Sequence, residues 1–400
     1  MVDRAKTHLN SIAFLNSAAM WRAGVHPRQT SLTGTSLTGA GVVVCFIDYG
    51  FDLCHPTLRT ATGETRFASL IDQNGVTLER AAINRLLRRC ARAGDRAVLD
   101  AVYDPHAHYF GDGRVRIGAH GTWVASIAAG SRLASFSGVA PRTTLIGVHL
   151  DWPDRAWREV DAAGRPSWIA AASEGGTALR AWQGWRSYED SRAIVAALLQ
   201  AYVAACALRP DAIVFNLSIG AWAGGHDPGS RGNRAIAALG DAGARPGAPP
   251  TVVVAATGNA GADAGDVAGQ VTPARPFRFA WSFTPWPASM DGEAAACQGA
   301  PSKLEIWAAC AGDLAIEIRL RGAGGRPVCR LPGTARGTSP VVTADGQLIG
   351  IAENRGAVRP GLRSVRIILH PSLPRPPLLG AAGCTFDVSV SEVGPSDGSE

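Results

Sequence analysis

The 400-residue chain is 46% hydrophobic and 18% charged, which is the composition of a globular protein and excludes a disordered one. Its length exceeds what one compact core usually fills, so two domains are expected. The net charge of +6 comes from scattered arginines, and no basic stripe with interleaved aromatic residues indicates a nucleic-acid partner.

The compartment and the cofactors are constrained by what the sequence lacks. No apolar run reaches about 18 residues, so no membrane span is predicted, and the N-terminal segment has no apolar signal core. None of the eight cysteines forms a Cys-x-x-Cys pair, which argues against a zinc site. We therefore expect a cytoplasmic protein with reduced thiols and without metal or other cofactor. A disulfide among the last four cysteines would fit export by another route.

The first core strand follows a short N-terminal segment. Residues 1–40 are expected to hold a helix around Ala13 to Arg22 and then a loop. Val42 to Ile47 is a β-branched apolar run, which predicts a strand buried on both faces, as in a parallel sheet. Asp48 ends this run, and Gly50 allows the backbone to turn. Open α/β sheets place catalytic groups at this strand end; the alternative for Asp48 is a cap of the following turn.

A histidine at the start of a helix is the second signal. After a strand-like segment and a helix predicted for Leu78 to Ala93, His120 opens a helix of small residues, which can lie close to a neighbouring strand. A single His-Gly-Thr tripeptide also suits a core histidine or a helix cap. The order carries more weight, because an acid on a strand followed by a histidine on a helix is the Asp-then-His order of one group of serine hydrolases.

Two more buried strands end in polar or small residues. The segment AIVFNLSIG closes with Ser218, Ile219 and Gly220, and TVVVAATGNA closes with Asn259. An asparagine at a strand end either serves a turn or directs its amide NH₂ at a developing oxyanion.

The remaining elements are predicted from hydrophobic spacing. Ser191 to Leu208 has apolar residues at helical spacing, Val203 among them, and this stripe is expected to pack in the core. From residue 273 the pattern changes to short alternating strands between Gly/Pro turns, which predicts an all-β sandwich.

In this order the segments around Asp48, His120 and Asn259 resemble the subtilisin-like serine peptidases, a family whose roles are usually illustrated with subtilisin itself. The resemblance runs from about Trp21 to Asn259. It implies that Asp48 orients His120, that His120 is the general base, and that Asn259 donates to the oxyanion.

The same resemblance implies a polypeptide substrate. Ser218, Ile219 and Gly220 are similar to the strand edge that pairs with an extended substrate backbone. Tyr49 stands where the family usually has Ser or Thr, and Trp123 where it usually has His. Both replacements leave the catalytic roles intact and are expected to narrow the cleft.

The implied fold class is α/β, a subtilisin-like parallel sheet flanked by helices and followed by a jelly-roll or sandwich domain. Residues 1–40 lead into the core, 41–272 form an incomplete peptidase domain, 273–391 form the β-sandwich, and 392–400 are a polar tail. A jelly-roll domain between the oxyanion asparagine and the nucleophile is found in some bacterial members of the family.

The nucleophile is the missing part. Gly337-Thr338-Ser339 supplies the family's tripeptide, but a hairpin signal at Asp345-Gly346 follows where a helix is required. Ser339 is therefore predicted to be a turn serine. Three interpretations stay open: the serine lies on a second chain or segment, the chain is a fragment, or it is a pseudo-peptidase that binds or regulates without cutting. The retained acid, base and oxyanion donor favour the first two.

The resembled fold also predicts how the chain behaves alone. In that fold further strands and the nucleophile's helix pack after the strand that leads to Asn259. Without them an apolar edge is expected to be exposed, which favours self-association or a partner segment.

Overall fold

The computed structural model describes residues 38–72, 76–105, 120–133, 136–150, 192–219, 228–256, 267–283, 302–321, 327–333, 337–342, 348–369 and 384–393. Within these ranges the strands and helices before residue 257 belong to one compact unit, and those after residue 266 belong to a second. The helix expected around Ala13 to Arg22 lies outside the described residues. Of the helices that are described, none is long and apolar enough to cross a membrane.

The first unit is built on a six-stranded sheet. Its strands are β1 (Val42–Asp48), β2 (Phe67–Asp72), β3 (Val76–Glu79), β4 (Thr144–His149), β5 (Ala212–Leu217) and β6 (Thr251–Ala255). They lie in the order β3-β2-β4-β1-β5-β6, and every neighbouring pair is parallel except β2 with β3. The predicted α/β fold with a parallel sheet is confirmed. The prediction that β6 is a buried strand is wrong, because β6 lies at the edge of the sheet and its Val252 and Val254 are 56% and 53% exposed.

Helices lie on both faces of this sheet. They are α1 (Arg80–Ala93), α2 (Ala97–Asp100), α3 (His120–Ala129), α4 (Arg192–Ala207) and α5 (Arg231–Gly243). On one face, Cys45 and Ile47 of β1 share an apolar cluster with α4, and on the other Phe46 shares a cluster with α1 and α3. Full burial of each large apolar side chain contributes roughly 1.5–3 kcal/mol, so the two clusters hold β1 at the centre of the unit.

Two further sequence predictions in this unit are wrong in detail. Leu78 does not start a helix, because it pairs with β2 as part of β3, and α1 begins only at Arg80. Val203 of α4 is 69% exposed and not part of the core. Ala201 and Ala205 are buried instead, because with Ala197 they lie four residues apart, on the helix face that packs against the sheet.

The described strands of the second unit are β7 (Phe277–Phe283), β8 (Ser302–Ala309), β9 (Asp313–Leu320), β10 (Pro327–Leu331), β11 (Gly337–Val342), β12 (Leu348–Arg359), β13 (Leu362–Leu369) and β14 (Cys384–Val393). They form two antiparallel four-stranded sheets, of orders β10-β9-β14-β7 and β11-β12-β13-β8. Alternate residues of both sheets, among them Ile316, Val365 and Phe386, share one apolar cluster, so the unit is the predicted β-sandwich. The domain boundaries at residues 40, 272 and 391 stay a prediction.

Ser339 belongs to a strand of this sandwich and not to a turn as predicted. It lies in β11 and pairs with Ala352 of β12. Gly337 and Pro340 hid the strand from sequence analysis, because glycine and proline are depleted in strands and proline is confined to edges. The next described element after β11 is β12, so Ser339 does not open a helix in the described chain.

A buried cation anchors the C-terminal end of α3. The guanidinium of Arg66, a residue that is 8% exposed, donates to the carbonyl of Ala129, and it donates to the carbonyl of Thr143 at 2.9 Å. A cation suits the last turn of a helix, where carbonyls lack intrahelical donors. Burial lowers the pKa of Arg66 to about 10, which leaves it charged at neutral pH.

Replacing Arg66 by Met should lower the free energy of unfolding by about 2–4 kcal/mol, because the carbonyls of Ala129 and Thr143 would stay buried without this donor. Urea denaturation followed by circular dichroism measures the change. Arg142→Met is the matched control, since Arg142 is exposed and its loss should cost less than about 0.5 kcal/mol. Equal effects of the two substitutions would contradict the anchoring role.

Candidate active site

Asp48 and His120 meet at the carboxyl end of β1. Asp48 is fully buried, and its Oδ1 accepts a hydrogen bond of 2.6 Å from Nδ1 of His120, the first residue of α3. Oδ1 also accepts a 2.6 Å bond from the backbone N–H of Tyr49. Oδ2 is buried and has no hydrogen-bond partner among the described residues. The fold thus brings together the acid and the histidine that sequence analysis singled out.

The charge state of this pair follows from burial and from the hydrogen bond. Burial raises the pKa of Asp48, and the hydrogen bond and charge of His120 oppose this effect. The bond to Asp48 raises the pKa of His120, and partial burial works against it. Because a carboxylate only accepts, we assign the proton to Nδ1, which leaves the lone pair on Nε2. The His120 side chain is 43% exposed, so an incoming group can reach the ring.

The loop after β1 is hydrogen-bonded to the first turn of α3. The backbone N–H of Gly121 donates to the carbonyl of Tyr49 at 2.8 Å. Further along the same loop, the backbone N–H of Asp52 donates to the hydroxyl of Thr122 at 2.6 Å. These two bonds lie directly beside the Asp48–His120 pair and fix the helix start against the strand end.

Close packing at Gly121 supports the same contact. A Cβ at this position would lie 2.7 Å from the ring of Phe51 and 2.8 Å from the carbonyl oxygen of Gly50. Both distances are shorter than van der Waals contact, so only glycine allows His120 to approach the strand this closely.

Comparison with known proteins identifies the family. A model of the subtilase family matches residues 39–276, which is more than half of the chain. The chain belongs to the subtilase family. No curated protein matches the sequence. Among solved structures, that of the Clostridium perfringens CspB protease is similar, with 16% identity and a TM-score of 0.46. The match covers 90% of this chain but only 60% of that protease.

The predicted substrate-binding residues of this subtilase follow β5. Ser218 and Ile219 are half-buried, and the side-chain amide of Asn216 donates to the hydroxyl of Ser218 at 2.9 Å. Gly220 lies outside the described residues. Because β5 runs parallel to β1, its carboxyl end lies at the same sheet edge as Asp48. The contact of these residues with a substrate stays a prediction.

Asn259, the predicted oxyanion donor, also lies outside the described residues. The strand before it, β6, ends at Ala255, and the backbone N–H of Ala256 donates to the carbonyl of Leu217 at 3.0 Å. Strand β6 therefore ends at the same edge of the sheet, and the role of Asn259 stays a prediction. Within the described ranges no group of three or more His, Cys, Asp or Glu residues could hold a metal ion.

The two residues that depart from the family pattern lie in different surroundings. Tyr49 is partly buried and packs against the apolar cluster that includes α4, whereas Trp123 is 64% exposed on α3. That they narrow a substrate cleft stays a prediction. Sequence analysis missed His149 and Tyr103, which are both buried near the same edge. The available signal was His149 itself, a polar residue that closes a buried apolar strand.

Replacing Asp48 by Asn should lower the pKa of His120, because the carboxylate that stabilises the imidazolium is lost and the opposing effect of partial burial remains. An NMR titration of the imidazole signals in the full chain measures this change. Asp52→Asn is the matched control, because the Asp52 carboxylate binds Arg96 and the N–H of Cys54. A His120 pKa that is the same in wild type and Asp48→Asn would show that the two side chains are not paired.

Proposed function

We propose that this subtilase is a serine endopeptidase that hydrolyses peptide bonds by acyl transfer. The observation that carries the proposal is the 2.6 Å bond between Nδ1 of His120 and the buried Asp48. This bond holds the imidazole in the tautomer whose Nε2 can accept a proton. Family membership supports the same reaction class.

In the proposed reaction His120 moves one proton in each half. Nε2 accepts the proton of a serine hydroxyl as the serine oxygen bonds to the scissile carbonyl carbon, and then gives that proton to the leaving amine. In the second half, Nε2 accepts a proton from water as the water oxygen bonds to the acyl carbon. It then gives that proton to the serine oxygen, whose bond to the acyl carbon breaks, and the acid product is released. Asp48 stabilises the imidazolium that exists while Nε2 holds the proton. The side-chain amide of Asn259 donates a hydrogen bond to the oxyanion.

The proposed substrate is an extended polypeptide. Its backbone would pair with Ser218, Ile219 and Gly220, which continue the chain beyond β5. This placement is supported by β5 lying beside β1, so that the paired peptide passes the edge that holds Asp48 and His120. Main-chain pairing of this kind binds many sequences, while side-chain pockets set the preference among them.

The proposed nucleophile is a serine on another chain or segment, where Gly-Thr-Ser opens a helix. An uncovered face of β6 supports this part. Val252 and Val254 are 56% and 53% exposed, whereas Val253 between them packs against the core on the opposite face. An apolar helix that covers these valines would pack on β6, which is the edge strand of the sheet and the neighbour of β5.

A reducing compartment such as the cytoplasm is the proposed setting. Cys54, Cys206 and Cys310 have free thiols at partly exposed positions, which fits a protein kept reduced. The alternative function is a peptide-binding or regulatory pseudo-peptidase, and the observation that favours it is that Ser339 lies in a strand. The next experiment separates the two functions.

In a preparation whose peptidase domain is completed by a Gly-Thr-Ser helix, His120→Ala should lower the peptide cleavage rate by several orders of magnitude. Cleavage of a fluorogenic peptide library measures the rate. Ser339→Ala is the matched control and should keep full activity, because Ser339 pairs with β12 in the sandwich.

Three results would count against this assignment. Equal cleavage by wild type and His120→Ala would refute the role of His120. A completed domain that binds peptides without cleaving them would establish the pseudo-peptidase. Labelling of the 400-residue chain at Ser339 by a fluorophosphonate would make Ser339 the nucleophile.

The uncovered valines give a separate prediction about assembly. The chain alone should self-associate, and the double substitution Val252→Thr and Val254→Thr should reduce this, because it makes the exposed face polar at constant shape. Light scattering measures the association. Val253→Thr is the control, since Val253 faces the core: it should lower the melting temperature and leave association unchanged. A wild-type chain that is a monodisperse monomer would contradict the prediction.

A further inference from the structure

A buried tyrosine and a buried histidine, neither of which takes part in the proposed reaction, lie behind the Asp48 loop. Tyr103 follows α2 and is 2% exposed, and His149 is the last residue of β4 and is 1% exposed. The Tyr103 hydroxyl lies 2.9 Å from Nδ1 of His149, and their rings meet edge to face with centroids 5.6 Å apart. A buried hydroxyl costs free energy unless it is hydrogen-bonded, so partners are expected for this one.

The hydroxyl has a second partner in the loop itself. The backbone N–H of Phe51 donates to the Tyr103 oxygen at 3.1 Å. Because the phenol carries one proton and already accepts from Phe51, we assign its proton to the bond with Nδ1 of His149. The phenol thus connects the loop after Asp48 to the end of β4, the strand that pairs with β1 on the side opposite β5.

The loop that is hydrogen-bonded to Tyr103 is the same loop that contacts the start of α3. Tyr49 and Asp52 of this loop bind the first turn of α3 through Gly121 and Thr122. Phe51, between them, packs where a Cβ on Gly121 would clash. A shift of the Phe51 backbone would therefore move the helix start relative to the strand end.

We propose that Tyr103, supported by His149, is a positioning residue that sets the Asp48–His120 hydrogen bond by holding the Phe51 backbone. The partly buried ion pair between Arg96 and Asp52 also ties this loop to the start of α2, at 2.9 Å. The phenol is more deeply buried than this ion pair and binds the backbone of the loop directly. The inference deepens the proposed function and rests on it.

The test is an NMR titration of His120 in the full chain, which reports the geometry of the pair without any peptide cleavage. The signal is identified by its loss in His120→Gln. Tyr103→Phe keeps the ring and removes the hydroxyl, so the His120 pKa should fall as the bond to Asp48 lengthens. Tyr202→Phe is the matched control, because Tyr202 lies on α4 across the sheet and should leave the titration unchanged.

A merely structural Tyr103 would give a different result. In that case Tyr103→Phe would lower the melting temperature and leave the His120 titration as in wild type, and the proposal would be overturned. A completed wild-type domain that cleaves no peptide, together with a lowered His120 pKa in Tyr103→Phe, would instead count against the proposed function alone.

A second pair of variants decides the matter if Tyr103→Phe does not fold. His149→Asn keeps an acceptor near the position of Nδ1, whereas His149→Gln places its polar atoms near Nε2. A His120 pKa that is close to wild type in His149→Asn and lower in His149→Gln supports the positioning role. Equal values in the two variants overturn it.

Discussion

A carboxylate with no solvent exposure must be stabilised by the groups that surround it. Asp48 meets this demand through one oxygen, which accepts from His120 and from the backbone of Tyr49. Moving an unpaired carboxylate out of water would cost several kcal/mol, so these donors have to be in place in the folded state. The loop after β1, the start of α3 and the glycine at position 121 all follow from that demand, because each brings a donor within reach of the strand end.

The parallel sheet explains why the partners lie where they do. Asp48 of β1 is in register with His149 of β4, which is in register with Asp72 of β2. Parallel strands end at one edge, so residues far apart in the chain become neighbours there. The same rule carries Ser218 to this edge at the end of β5. The catalytic hypothesis and the positioning hypothesis both depend on this alignment.

Part of this arrangement could be predicted from the sequence. Strand β1 and the helix at His120 were predictable, because a β-branched run and a run of small residues each have one good structural solution. The exposure of Val203 was not, since apolar spacing on an alanine-rich helix fits more than one face. The strand at Ser339 was hidden by its own proline. Tyr103 was beyond sequence analysis, because its partners come from β4 and from the loop after β1, and only the fold brings them together.

The burial of Asp48 has a further consequence, for the reorganisation energy of proton transfer. In water a new positive charge is stabilised only after surrounding dipoles have turned toward it. Here the carboxylate of Asp48 is the counter-charge for an imidazolium at His120. Folding places its Oδ1 2.6 Å from Nδ1 of His120 and shields it from solvent. In the proposed reaction, a proton transferred to the ring would meet an environment already oriented for it, and little of the barrier would be spent on reorienting dipoles.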